Sequence, residues 1–348
     1  MRSLVILAVV VGCGRPGGDT PDGATGGDDA MMTDGGSGPS HAISVIVEPN
    51  GNHGAELVTA INAAQHSVYV TMYELDATTV LSALVARKQA GLDVQVILDS
   101  STTNKSFNMP AYTQLSNAGI AVVWSDPTFM YTHEKTVMID GQTAWIMTMN
   151  SNTSSPNQNR EYLAIDTDAG DVAEAVAVFK ADHAHTTITP AGNLVVANAN
   201  ARPKLVALID SATTTLDVEG EEFSDTYSTG VVRAVVRAAM RGVTVHVIIG
   251  NSTPDATSIT LAKNAGAHVV VTGPTSGNGT TTNPYIHAKA ILVDCTGTTC
   301  KRGFVGSENF SAGSLGYNRE LGVVFDTTAE LAKIKTAIDT DFSHGVAQ

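Results

Sequence analysis

Cysteines, basic residues and aromatic side chains are all scarce in this sequence. Three cysteines in 348 residues are too few for a dense disulfide framework. Lys and Arg number 20 against 34 Asp and Glu, giving a formal net charge of −14. The first 40 residues carry Arg2 and Arg15 against Asp19, Asp22, Asp28, Asp29 and Asp34, which leaves −11 for the rest. Proteins that grip nucleic acid by its phosphates carry a basic footprint, so duplex DNA is disfavoured as the main partner, although a local basic cleft stays open. Aromatics make up 5% of the chain, so the core has to rest on Val, Ile, Leu and Ala. With 43% hydrophobic and 16% charged residues, that core is substantial, and the length allows one large domain or two ordinary ones.

The N-terminus reads as an address. Arg2 is followed by an apolar run from Leu4 to Val11, which is too short to span a bilayer and suits a signal peptide. Residues 1–12 are therefore expected to be removed on export. Val10-Val11-Gly12-Cys13 resembles a bacterial lipobox, which makes Cys13 a candidate for acylation; an ordinary signal peptide with an incidental Cys is the alternative. Residues 14–40 hold nine Gly, three Pro and five Asp and bury too little to fold, so 13–41 is expected to be a flexible tether. In an exported chain Cys295 and Cys300, around Thr-Gly-Thr-Thr, are expected to close a small disulfide loop. A zinc pair is the alternative, but it would need a second pair that the sequence lacks.

From Ala42 onward the chain reads as two similar halves, 42–190 and 191–348. In the first, residues 67–73 and 93–98 are predicted strands around a helix over 78–90. In the second, 214–218 and 244–249 flank a helix over 230–241. Gly91 and Gly242 follow the two helices, as C-terminal capping favours. Further strands are predicted at 119–124 and 267–272. Alternating strands and helices argue for an α/β fold with buried sheets. His133 and His287 lie 154 residues apart, as do Asp140 and Asp294, while Gly91 and Gly242 lie 151 apart. Such spacing predicts a duplication, with two packed halves related by a pseudo-twofold axis and the site at their junction.

Two motifs carry the chemistry. The first is His133-Glu-Lys135-Thr-Val-Met-Ile-Asp140, followed by Thr148 and Asn150 and then Asn159-Arg160-Glu161. The second is His287-Ala-Lys289-Ala-Ile-Leu-Val-Asp294, followed by Gly306-Ser307-Glu308-Asn309 and Asn318-Arg319-Glu320. On a strand, His and Lys two apart share a face, and a hairpin return brings an Asn beside them. Lys ammonium groups and Asn amides are donors for the charge that grows on a phosphodiester's oxygens. One imidazole can attack phosphorus while a second, protonated one gives its proton to the leaving oxygen. Glu161 and Glu320, 28 and 33 residues beyond the histidines, are the candidates to orient the rings. His41, His53, His66, His183, His185 and His344 read as solvated, and His246 and His268 as packing residues in strands. Arg233, Arg237 and Arg241 read as a solvated helix stripe.

These motifs, with GSENFS at 306–311, resemble the phospholipase D superfamily over about residues 42–343. The resemblance implies a duplicated α/β sandwich and a phosphohistidine mechanism that uses no metal or cofactor. It makes His133 the nucleophile, His287 the general acid, Lys135, Lys289, Asn150 and Asn309 the phosphate-holding groups, and Asp140 and Asp294 structural. Thr148 and Ser307 are candidate substrate contacts. Met147 stands where the second half has Gly306, which either narrows one side of the site or marks the His133 half as weaker, exchanging the two roles. Glu74 and Glu222 correspond, either at the cleft rim or in buried or capping positions.

The expected activity is hydrolysis or transfer at a phosphodiester, with phospholipid favoured by export, a lipid tether and the acidic charge. The protein is expected at a membrane or outside the cell, as a monomer. An extracellular nuclease and a tethered binding protein without turnover are the alternatives. The loop 274–285 before His287 looks like a cleft lid rather than a base-stacking platform.

Overall fold

A computed structural model describes residues 42–251 and 254–348; the expected signal segment, tether and Cys13 lie outside them. Val, Ile and Leu fill the strands Ser67–Met72, Asp93–Leu98 and Ala121–Trp124, which pair in parallel in that order. Residues buried on both faces are the mark of parallel sheet. On its other edge Ser67–Met72 pairs antiparallel with Lys135–Ile139, and the sheet continues through Thr143–Met147, Asn159–Asp166 and Ile43–Glu48. The second sheet repeats this order. Thr215–Gly220 lies parallel to Thr244–Gly250 and then His268–Thr272, and antiparallel to Lys289–Val293, which leads on to Arg302–Gly306 and Leu321–Phe325. The chain is thus a duplicated α/β sandwich.

Three apolar layers hold it together. Between the sheets, Met138, Ile146 and Tyr162 share a cluster with Leu292, Val305 and Phe325. Val172 and Phe179 of helix Ala169–His183 and Leu331 and Ile338 of helix Thr328–His344 belong to the same cluster. Helices Ala55–Ala63, Thr78–Gln89 and Lys105–Asn117 cover the outer face of the first sheet, and Ala201–Asp210, Val231–Met240 and Ala256–Asn264 that of the second. Gly91 and Gly242 have φ of 91° and 86°, the left-handed turn that lets each sharp helix exit through glycine. Among the described residues no helix is long and apolar enough to cross a membrane.

Both motif strands run away from the junction towards an aspartate. Asp140 and Asp294 have φ of 57° and 54°. The Asp140 carboxylate accepts from the backbone N–H of Gln65, His66 and Ser67, and Asp294 from those of Thr213 and Thr214. Each thus ties the hairpin turn to the segment entering the neighbouring central strand. Cys295 and Cys300 form the disulfide, in a small turn closed by Thr296 and Thr299.

Candidate active site

The central strands Ser67–Met72 and Thr215–Gly220 end at one cleft of about 750 Å³, on the carboxyl side of the parallel strands, where open α/β sheets bind ligands. The two motif histidines are not on strands, as spacing suggested: the strands begin at Lys135 and Lys289, and each histidine lies just ahead, where the chain crosses to the other half. Thr132 bridges in parallel to Arg319, and Tyr285–Ile286 pair with Asn159 and Arg160. Each histidine is therefore delivered beside the glutamate of the opposite half.

That crossing corrects the pairing expected from sequence. His133 Nδ1 lies 2.7 Å from Glu320, and His287 Nδ1 lies 2.8 Å from Glu161. The carboxylates are themselves held, Glu161 by Asn159 and Thr148, and Glu320 by Asn318 and Ser314. Burial disfavours their ionisation, but the facing imidazoles and nearby lysines outweigh it and keep both acidic. A carboxylate at Nδ1 fixes the tautomer with the proton on Nδ1, which leaves the lone pair of each neutral ring on Nε2. The two rings face each other with centroids 6.5 Å apart. Burial, then the Lys135 charge, pushes the His133 imidazole down to about 4.

Each lysine folds back onto the carbonyl of its own histidine, Lys135 at 2.6 Å and Lys289 at 2.5 Å. Burial, then the like charge of Lys289, brings Lys135 down to about 7. Asn150 and Asn309 line the cleft with both histidines, and their side-chain oxygens lack a hydrogen-bond partner. Thr148 and Ser307 do not reach it. Both are fully buried; Thr148 donates to Glu161 and Ser307 to the Leu321 carbonyl, so they support the site from behind rather than touch substrate.

Met147 does not narrow the cleft either. It is fully buried and packs with Met149 and Leu163 on the outer face of the first sheet. In the second half Gly306 and Gly322 leave that space to the buried Glu308 carboxyl, which a Cβ at either glycine would strike. The asymmetry falls elsewhere, at a pair the motifs do not contain. Tyr73 and Glu221 both follow a central strand, opposite the Met72–Lys135 and Gly220–Lys289 pairings. The Tyr73 ring sits 4.8 Å from Lys135 Nζ and 4.5 Å from the His133 ring. The Glu221 carboxylate lies 3.1 Å from Lys289 Nζ, 3.3 Å from Asn309 Nδ2 and 3.6 Å from His287 Nε2. The next residues, Glu74 and Glu222, also line the cleft. Register alone would have exposed the Tyr73–Glu221 pair.

The arginines beside the orienting glutamates make a second crossed pair. Arg160 pairs with Asp341 at 2.5 Å, and Arg319 with Asp182 at 2.9 Å, all four buried. Arg160→Met would leave the Asp341 charge buried and uncompensated, and is expected to lower unfolding free energy by about 3–5 kcal/mol in a denaturant titration.

The family described as cardiolipin synthase, PLD-like domain matches residues 57–183 and 205–344, one segment for each half. Cardiolipin synthase A of Klebsiella pneumoniae is 27% identical over 145 residues, 41% of this chain and 28% of that protein. The enzyme of the same name from Pseudomonas aeruginosa is 28% identical over 133 residues, 37% of this chain and 27% of that protein. The match thus spans little more than a quarter of these curated relatives. Among solved structures, polyphosphate kinase from Porphyromonas gingivalis superposes with a TM-score of 0.67 at 17% identity, covering 85% of this chain and 46% of that one. Phosphatidylserine synthase from Haemophilus influenzae Rd KW20 gives 0.63 at 13%, covering 88% and 87%. With the family matched in both halves, this duplicated sandwich belongs to the phospholipase D superfamily.

Proposed function

We propose that the chain acts on phospholipid phosphodiesters through a covalent phosphohistidine, with His133 as nucleophile and His287 as general acid. The observation that carries this reading is the facing pair of imidazoles, 6.5 Å apart, each with a carboxylate at Nδ1. His133 Nε2 attacks phosphorus, the phosphorus–oxygen bond to the leaving group breaks, and His287 gives its Nε2 proton to that oxygen. His287 then takes a proton from water or an alcohol, whose oxygen attacks phosphorus and frees His133. The assignment of roles rests on the surroundings of the rings. His287 lies between two carboxylates, Glu161 at 2.8 Å from Nδ1 and Glu221 at 3.6 Å from Nε2. His133 sits against the Tyr73 ring, with its imidazole kept neutral. Lys135, Lys289, Asn150 and Asn309 supply the donors for the phosphoryl oxygens.

Lipid is favoured over nucleic acid by the cleft wall. Glu74, Asp76, Glu221 and Glu222 line it, and beyond the buried motif lysines Lys135 and Lys289 no Lys or Arg among the described residues faces it. Phe107 and Met130, 40% and 54% exposed, stand at its mouth, where an acyl chain would lie better than a polyanion. The test is a paired assay of the full chain on phosphatidylcholine vesicles and on plasmid DNA, each with EDTA and with added glycerol. Release of head group with EDTA present and DNA intact is the expected result, and the glycerol arm reads transfer against hydrolysis. DNA cleavage without lipid turnover would sink the lipid reading.

The pH profile is a further expectation. Free-enzyme kcat/KM should fall on the acid side through about pH 4, as His133 loses its lone pair, and on the alkaline side through about pH 7, as Lys135 loses its charge. Export and acylation at Cys13 belong to the same proposal. The full chain should sediment with membranes, and Cys13→Ser should release it.

A further inference from the structure

Lys289 Nζ, Asn309 Nδ2 and His287 Nε2 converge on one point, and the Glu221 carboxylate occupies it. The proposed mechanism assigns Lys289 and Asn309 to a phosphoryl oxygen and His287 to the leaving-group oxygen beside it. Glu221 is held there by Tyr285, whose hydroxyl donates to its other oxygen. The first half has no counterpart. At the equivalent position Tyr73 lays its ring against Lys135, and Glu74, one residue on, turns instead to Asn150 and Asn152 at 3.5 and 3.0 Å. One half of the cleft thus offers an open cation, and the other a cation already satisfied by an internal anion.

We propose that Glu221 is a charge filter: its carboxylate stands in the phosphoryl-oxygen subsite of the second half and admits monoanionic phosphodiesters while rejecting dianionic phosphomonoesters. The inference rests on the phosphodiesterase reading of the same site. A diester carries one negative charge, which the two lysines and two asparagines can share with Glu221 displaced only slightly. A monoester carries close to two at neutral pH, its second pKa being near 6. That second charge has to sit among Lys289, Asn309 and His287, where the Glu221 carboxylate already lies. Like charges at such separation repel strongly in a poorly solvated cleft. When hydrolysis releases a monoester, the same repulsion hastens its departure, so Glu221 also limits product inhibition.

The test is calorimetric binding of two probes to the full chain, inorganic phosphate as the dianion and dimethyl phosphate as the monoanionic diester, at pH 8 and pH 5.5. Glu221→Gln keeps the shape and removes the charge, and Glu221→Tyr copies the first half. A thermal melt checks that each is folded, and either variant suffices. Phosphate should bind at least tenfold tighter to the variant than to the native protein at pH 8. The gain should shrink at pH 5.5, where phosphate is mostly monoanionic, and dimethyl phosphate should change by less than about threefold. No tightening of phosphate would overturn occupancy of the subsite, and equal tightening of both probes would overturn the charge filter. Failure of the native protein to turn over any phosphodiester would instead sink the proposed function, and it is read in a separate assay.

Discussion

His133→Ala should lower kcat/KM on a phosphodiester by roughly ten-thousandfold or more, the scale seen when the nucleophile of a covalent mechanism is removed and only binding and charge stabilisation remain. The ring has no substitute in the cleft. Glu320 holds its Nδ1, its ring centroid lies 6.5 Å from that of His287, and no described cysteine lines the cavity. His287→Ala should differ in kind. The first step can still proceed with a leaving group good enough to depart unprotonated, such as p-nitrophenolate, but the second step lacks its base. A burst of p-nitrophenol followed by near-arrest is therefore expected from His287→Ala, and no burst from His133→Ala. Equal, burst-free loss in both would contradict the division of labour.

Glu320→Gln is expected to cost roughly a thousandfold, between the losses typical of residues that orient a ligand and of the carboxylate in a hydrolytic triad. Glu320 lies 187 positions from His133 in sequence, yet it raises that imidazole's basicity and fixes its tautomer. In an NMR titration of the imidazoles, Glu320→Gln should push His133 still further below the ordinary histidine range. Glu161→Gln should leave His133 where it was, because Glu161 bonds the other ring, His287. A merely structural glutamate would reduce activity without this selectivity. If Glu161→Gln moved His133, the crossed arrangement would be wrong.

The duplication was legible because it is written twice: the paired motifs, the glycines ending equivalent helices and the strand order all repeat at near-constant offsets. The pattern places strand Asp93–Leu98 at its observed bounds and the other central strands within a few residues of theirs. Which carboxylate serves which ring was not legible. Nearness in sequence pointed to Glu161 for His133, whereas short cross-half bridges at Thr132 and Tyr285–Ile286 set the pairing. Such bridges leave almost no mark on side-chain pattern. The buried placement of Thr148 and Ser307 escapes the sequence pattern for a related reason. Alternation shows which residues share a strand face, but not that the Thr148 hydroxyl is taken up by Glu161 and that of Ser307 by the Leu321 backbone. Glu221 sits outside both motifs, and only the fold brings Lys289 and Asn309 onto its carboxylate.

The most direct test of the central claim is to trap the intermediate. The His287→Asn variant, mixed with a p-nitrophenyl phosphodiester and quenched in alkali, should yield a phosphorylated peptide carrying its modification on His133. A phosphoryl group on His287 in the reciprocal His133→Asn variant, with none on His133 in the first, would reverse the roles. No adduct on either histidine during the burst would contradict the covalent mechanism itself.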